Sequence, residues 1–296
     1  MWDKYLQQLK AGNVKTLARC ISLLENEITG YEKLMEDLPV KSTPIIGITG
    51  PPGAGKSTLV DALIETMISE GKKIGVLCID PSSPFNLGAL LGDRVRMSTW
   101  YNNPNVFIRS LATRGSLGGL HPKIIELTDL LKAFGFDYII IETVGVGQSE
   151  VEIAGLADAT VVVVVPEAGD EIQNMKSGLM EIANLFVVNK SDRPGADEFV
   201  KNLRLMLAPA FHMQITPPPV IKTAALQKQG IQELYLAVKT HLDQHEINPK
   251  HFWLLAEKAY YLIQRKKMNG IDKEELKTKI EAAGDQFNLY KFIQAY

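Results

Sequence analysis

Lys56 and Ser57 follow directly on the turn Gly50-Pro51-Pro52-Gly53-Ala54-Gly55, and these residues fit GxxxxGK(S/T) at every defined position. A lysine and a hydroxyl at that spacing do one kind of chemistry. Glycines let backbone N–H groups converge on phosphate oxygens, and the start of a following helix adds partial positive charge at the same point. Lys56 is then placed to neutralise β- and γ-phosphates, and the Ser57 hydroxyl to hold Mg2+. Thr58 continues the helix start.

A second set lies far along the chain. Asn189-Lys190-Ser191-Asp192 has the form NKxD and follows an apolar run, Leu185–Val188. A carboxylate at Asp192 accepts from both N1–H and the exocyclic amine of guanine, donors that adenine does not offer together, so the wrong base leaves groups unsatisfied. Thr223-Ala224-Ala225, after the last apolar run, is expected to offer backbone N–H groups to the guanine carbonyl.

Three carboxylates complete the constellation. Glu142 closes the run before "TVGVGQSE", Asp80 closes "IGVLCID", and Asp93 sits in "LLGDRVRM". A carboxylate at a strand end can face a Mg2+ shell or an attacking water, directly or through solvent. Gly145 and Gly147 permit the loop after Glu142 to change position with the γ-phosphate.

These residues need elements to hold them. Short apolar runs alternate with helical stretches from Pro44 to about Leu242, and strands are expected at Ile45–Thr49, Ile74–Ile79, Val106–Arg109, Tyr138–Ile141, Thr160–Val165, Leu185–Val188 and Val220–Ile221. Several are apolar at consecutive positions, the mark of strands covered on both faces of a parallel sheet. The expected fold is therefore α/β: a doubly wound, largely parallel sheet of P-loop NTPase type. Leu6, Leu9, Val14, Leu17, Ile21, Leu24 and Ile28 recur at helical spacing before it, and helical patterning returns after "HEINPKHFW". The plan is a helical arm over residues 1–43, a nucleotide-binding domain over 44–246 and a helical extension over 247–296.

Composition bounds the rest. The 296 residues are 46% hydrophobic and 22% charged, with a formal net charge of −2. No basic excess points to nucleic acid. The longest aliphatic run, Thr160 to Val165, is far shorter than the roughly 20 residues that span a bilayer. Cys20 and Cys78 read as free thiols of a reducing compartment, and a cytoplasmic location is expected.

The blocks "GPPGAGKST", "IDPSSPFNLGALLGDRVRM", "RSLATRGSLGGL", "ETVGVGQSEVEI", "PEAGDEIQNMKSGLMEIA" and "NKSD" resemble the MeaB family, also called methylmalonic aciduria type A or ArgK-like GTPases, over about Pro44 to Gly230. The resemblance implies a homodimeric GTPase with Mg2+ and GTP or GDP as ligands. Its implied role is to protect an adenosylcobalamin-dependent acyl-CoA mutase, usually methylmalonyl-CoA mutase, and to gate cofactor loading. It places Asp80, Asp93 and Glu142 among the metal and catalytic carboxylates, and Asp170, Gln173 and Lys176 on a third switch that couples the partner to hydrolysis. Asp243-Gln244-His245 begins the DxHxxG pattern of cobalamin domains, but Asn248 stands where glycine is required. No directly bound cobalamin is expected. Arg94, Arg96, Arg109 and Arg114 are candidates for stabilising transition-state charge. The alternatives are a kinase that passes the γ-phosphate to another substrate, for which no acceptor residue stands out, and a metal-insertion GTPase, which the scattered His121, His212, His241 and His251 do not favour.

Overall fold

The protein is represented by a computed structural model that describes residues 1–80, 97–113, 120–145, 149–168, 177–210, 217–244, 248–268, 270–284 and 287–296. Three helices come first: α1 (Trp2–Lys10), α2 (Val14–Glu25) and α3 (Tyr31–Glu36). The apolar periodicity that runs through them is broken at Asn13, whose side chain accepts from Thr16 N at 2.9 Å and caps α2.

The core alternates strands and helices. It runs β1 (Ile45–Thr49), α4 (Lys56–Ser69), β2 (Ile74–Asp80), β3 (Val106–Ala112), α5 (Ile124–Phe134), β4 (Tyr138–Glu142), α6 (Ser149–Leu156), β5 (Ala159–Val164), α7 (Ser177–Ile182), β6 (Leu185–Val188), α8 (Ala196–Ala210), β7 (Val220–Lys222) and α9 (Ile231–Asp243). All pairings in the seven-stranded sheet are parallel, in the order β3-β2-β4-β1-β5-β6-β7. Strands added after β4 go to the other side of β1, so the C-terminal end of β1 lies at the switch point where such sheets bind ligands.

Both faces of the sheet are covered, as the consecutive apolar runs require. Ile46, Ile48, Val161 and Val163 pack with Leu59, Leu63 and Leu234 on one side, while Val162, Val164 and Phe186 pack with Phe199 and Leu203 on the other. Each such side chain contributes about 1.5–3 kcal/mol when fully buried. Four strands, β2, β3, β4 and β7, run past their expected ends. β3 continues to Ala112 because its neighbour β2 continues to Asp80, and the two residues are partners in register.

The N-terminal helices belong to the same compact unit as the sheet, which spans Met1–His251. Buried Lys123 fastens them: its ammonium donates to the Tyr31 hydroxyl at 2.7 Å and lies 2.8 Å from Glu27. Burial alone would lower its pKa, but the bonds to Glu27 and Tyr31 and the field of Glu126 outweigh that and leave it raised. A second unit, Phe252–Tyr296, holds most of α10 (Pro249–Lys267), with α11 (Lys273–Ala283) and α12 (Leu289–Phe292). No described helix is long and apolar enough to cross a membrane.

Candidate nucleotide site

Four strands end at one corner. β1 leads into the glycine turn, β2 ends on Asp80, β4 ends on Glu142, and β6 is followed by Asn189. Lys56, Ser57, Asp80, Glu142, Asn189 and Thr223 are all buried, which is unusual for such residue types unless something satisfies them.

The turn itself is tightly confined. Gly50 has φ 137°, and a Cβ there would fall 2.0 Å from the carbonyl oxygen of Val163 in β5. Gly145 (φ 87°) approaches from the other side: a Cβ on it would lie 2.2 Å from the Gly50 oxygen and 2.7 Å from the Lys56 ammonium. Flexibility was the reason expected for this glycine; close approach is a second one. Pro51, Pro52 and Gly53 form the crest of the turn, and Gly55 (φ 85°) caps α4.

Lys56 Nζ donates to the carbonyls of Gly50 at 2.9 Å and Pro51 at 3.1 Å. Phosphate oxygens are stronger acceptors for the same ammonium than neutral carbonyls. Ser57 Oγ donates to Glu142 Oε1 at 2.7 Å, bringing together two of the expected metal ligands. In register, Glu142 stands opposite Cys78, so Asp80 lies two residues further along the adjacent strand. A hydroxyl and carboxylates form the hard-oxygen donor set that Mg2+ takes, so the residues fit the ion, with Ser57, Asp80 and Glu142 to hold it directly or through water. Held by these residues, Mg2+ would supply positive charge that offsets the charge developing on the phosphates. Asp93 lies outside the described residues, as do Arg94, Arg96, Arg114, Gly147, His212, His245 and the switch candidates Asp170, Gln173 and Lys176.

The NKxD stretch is built into the turn. Asn189 Nδ2 donates to Ala54 O at 2.9 Å, and its Oδ1 accepts from Thr223 Oγ1 at 3.1 Å and Ala225 N at 3.2 Å. Lys190, in a left-handed conformation (φ 56°), donates to Gly53 O at 2.8 Å. Asp192 is exposed, with Gln227 Nε2 at 3.4 Å from Oδ2. The backbone N–H groups of Thr223, Ala224 and Ala225 each have a protein acceptor, namely Val188 O, Gln229 O and Asn189 Oδ1. In this arrangement the loop holds Asn189, and a guanine carbonyl would have to displace one of those bonds.

Some neighbours carried no sequence signal. Arg193 pairs with Glu167, and this bond holds the Glu167 carboxyl below its ordinary range. Thr143 Oγ1 donates to Thr49 Oγ1 at 2.9 Å, joining β4 to β1 beneath the turn. Arg109, a candidate for stabilising transition-state charge, lies within β3, and its guanidinium pairs with Glu25 and Ser22 of α2.

A glycine turn with a buried lysine and serine after β1, carboxylates at the ends of β2 and β4, and an NKxD element after β6 define a P-loop GTPase. The family described as "Methylmalonyl Co-A mutase-associated GTPase MeaB" matches residues 17–275, and the chain belongs to it. It is 43% identical over 298 residues to a putative GTPase of Pyrococcus horikoshii, covering 96% of this chain and 90% of that one. It is 37% identical over 244 residues to the GTPase ArgK of Escherichia coli, covering 79% and 73% respectively. Among solved structures, that of a LAO/AO transport system kinase superposes with a TM-score of 0.69 at 27% identity, covering 99% of this chain and 95% of the other. The chain hydrolyses GTP.

Proposed function

We propose that this GTPase serves an adenosylcobalamin-dependent acyl-CoA mutase, methylmalonyl-CoA mutase, by protecting it and gating its cofactor loading. The observation that carries the reading is the family match over residues 17–275, whose description names that mutase. In this reading Lys56 offsets the β/γ-phosphate charge, and Ser57, Asp80, Asp93 and Glu142 serve Mg2+ and the attacking water. Asn189, Lys190 and Asp192 bind the base beside the turn. Little covalent chemistry is asked of the protein, since phosphoryl transfer to water is driven by positioning and charge stabilisation. Intrinsic turnover is low, and the partner raises it through the segment carrying Asp170, Gln173 and Lys176. The protein acts as a cytoplasmic homodimer and holds no cobalamin itself.

The test is GTP hydrolysis with and without purified methylmalonyl-CoA mutase. Stimulation is expected with the unaltered chain, and Lys176→Ala should keep basal hydrolysis within a few-fold while losing most of the stimulation. Absence of stimulation in the unaltered chain overturns the partner. A second reading, transfer of the γ-phosphate to another substrate, is favoured by the name of the LAO/AO transport system kinase alone. Label in the γ-phosphate distinguishes the two, because a GTPase releases it all as inorganic phosphate.

A further inference from the structure

The helices α6 and α7 have a common position in the chain. α6 begins directly after residues 146–148, which follow Glu142 and Gly145, and α7 begins directly after residues 169–176. Each runs from the nucleotide end of the sheet toward the opposite end, where β5 and β6 start, and the two helices pack against each other. Their last carbonyls have no partner within the helix and need donors from elsewhere.

Donors to several of them come from four consecutive residues. Asn248 Nδ2 donates to Ala154 O at 2.6 Å and Ala157 O at 3.3 Å, at the end of α6. The same side chain accepts from Lys250 N at 3.0 Å through Oδ1, capping the start of α10. His251 Nδ1 lies 3.0 Å from Gly155 O; a carbonyl only accepts, so the ring proton is on Nδ1. Lys250 Nζ donates to Glu181 O at 3.0 Å, at the end of α7, where the helix dipole favours a cation. A cavity of about 150 Å3 lined by Ala154, Asp158, Glu181, Asn184, Asn248 and Lys250 lies beside these bonds and leaves room for the helix ends to shift.

We propose that Asn248, Lys250 and His251 are positioning residues of the GTPase cycle. They join the far ends of α6 and α7, so that a displacement of either helix is shared by the other and relayed to the start of α10. A cap that only stabilises the fold acts equally on the GDP and GTP forms. A joint that holds one arrangement better than the other changes their ratio, because only differential contacts move such an equilibrium.

The experiment measures Kd for GDP and for a non-hydrolysable GTP analogue, with Mg2+, on the full chain. Lys250→Ala, an exposed change that leaves the core intact, should shift the ratio of the two affinities by about threefold or more, within the range by which residues outside a site modulate coupling. Lys250→Arg, which can still donate to Glu181 O, should restore it, and Asn248→Leu should shift the ratio further while lowering Tm. A ratio that stays constant in Lys250→Ala and Asn248→Leu overturns the proposal and leaves these residues as helix caps. A shift that Lys250→Arg fails to restore also overturns it, since the bond to Glu181 O would not be the agent.

Discussion

Asp192 stands at the exposed edge of the site, and replacing its carboxylate changes base chemistry without touching the core. An amide in its place offers a donor where guanine also donates. Asp192→Asn should therefore weaken GTP binding by at least about tenfold, the scale of one lost hydrogen bond with its partner left unsatisfied. It should gain xanthosine triphosphate, whose extra carbonyl accepts from the new amide. Competition binding against both nucleotides checks this, and equal binding of ATP and GTP by the unaltered chain would sink the base assignment. At this scale much was legible. Lys56, Ser57 and Asp192 stand in contiguous motifs whose chemistry is written in neighbouring letters, whereas nothing near Arg193 marks Glu167 as its partner.

The elements meet at Asn189. It follows β6, bonds the carbonyl of Ala54 in the glycine turn, and receives Thr223 and Ala225 from the loop after β7. Asn189→Ala leaves several buried polar groups without that partner, each costing about 1–3 kcal/mol. A loss of roughly 2–4 kcal/mol is expected on that scale, read as a lower urea midpoint at unchanged slope, together with weaker GTP binding. Asp192→Asn should leave the midpoint where it was. A normal midpoint in Asn189→Ala would show that the turn and the loop are held by other contacts. Strand existence was legible from apolar runs, as were the bounds of β1 and β6, but the polar ends Asp80 and Glu142 were not: the sheet carries them inside because adjacent strands pair through them.

The largest scale concerns the second unit. Its helices α11 and α12, and α10, contribute no buried side chain among the described residues, and Trp253 and Tyr260 are 75% and 64% exposed. Those two lie seven residues apart on α10 and so share a face. Forty-five residues seldom bury a core of their own, and exposed apolar surface of this kind marks an interface. The proposed homodimer supplies the cover. Light scattering should give twice the 32.8 kDa chain mass for the unaltered protein and the single-chain mass for Trp253→Glu combined with Tyr260→Glu, with GTP hydrolysis retained. An unaltered chain that is already monomeric at micromolar concentration overturns the homodimer.

The sequence by itself determined the fold class and the chemistry of the site. Consecutive apolar residues demand a sheet covered on both faces, and a phosphate turn must be written in adjacent residues because its backbone does the binding. Tertiary structure decided which distant groups meet. Ser57 finds Glu142 across 85 residues, Asn189 finds Ala54 across 135, and Asn248 finds Ala154 across 94. Strand order sets these distances in space, and it is a property of the whole sheet. Two of the three acceptors are backbone carbonyls, which every residue carries, so no letter of the sequence could mark them.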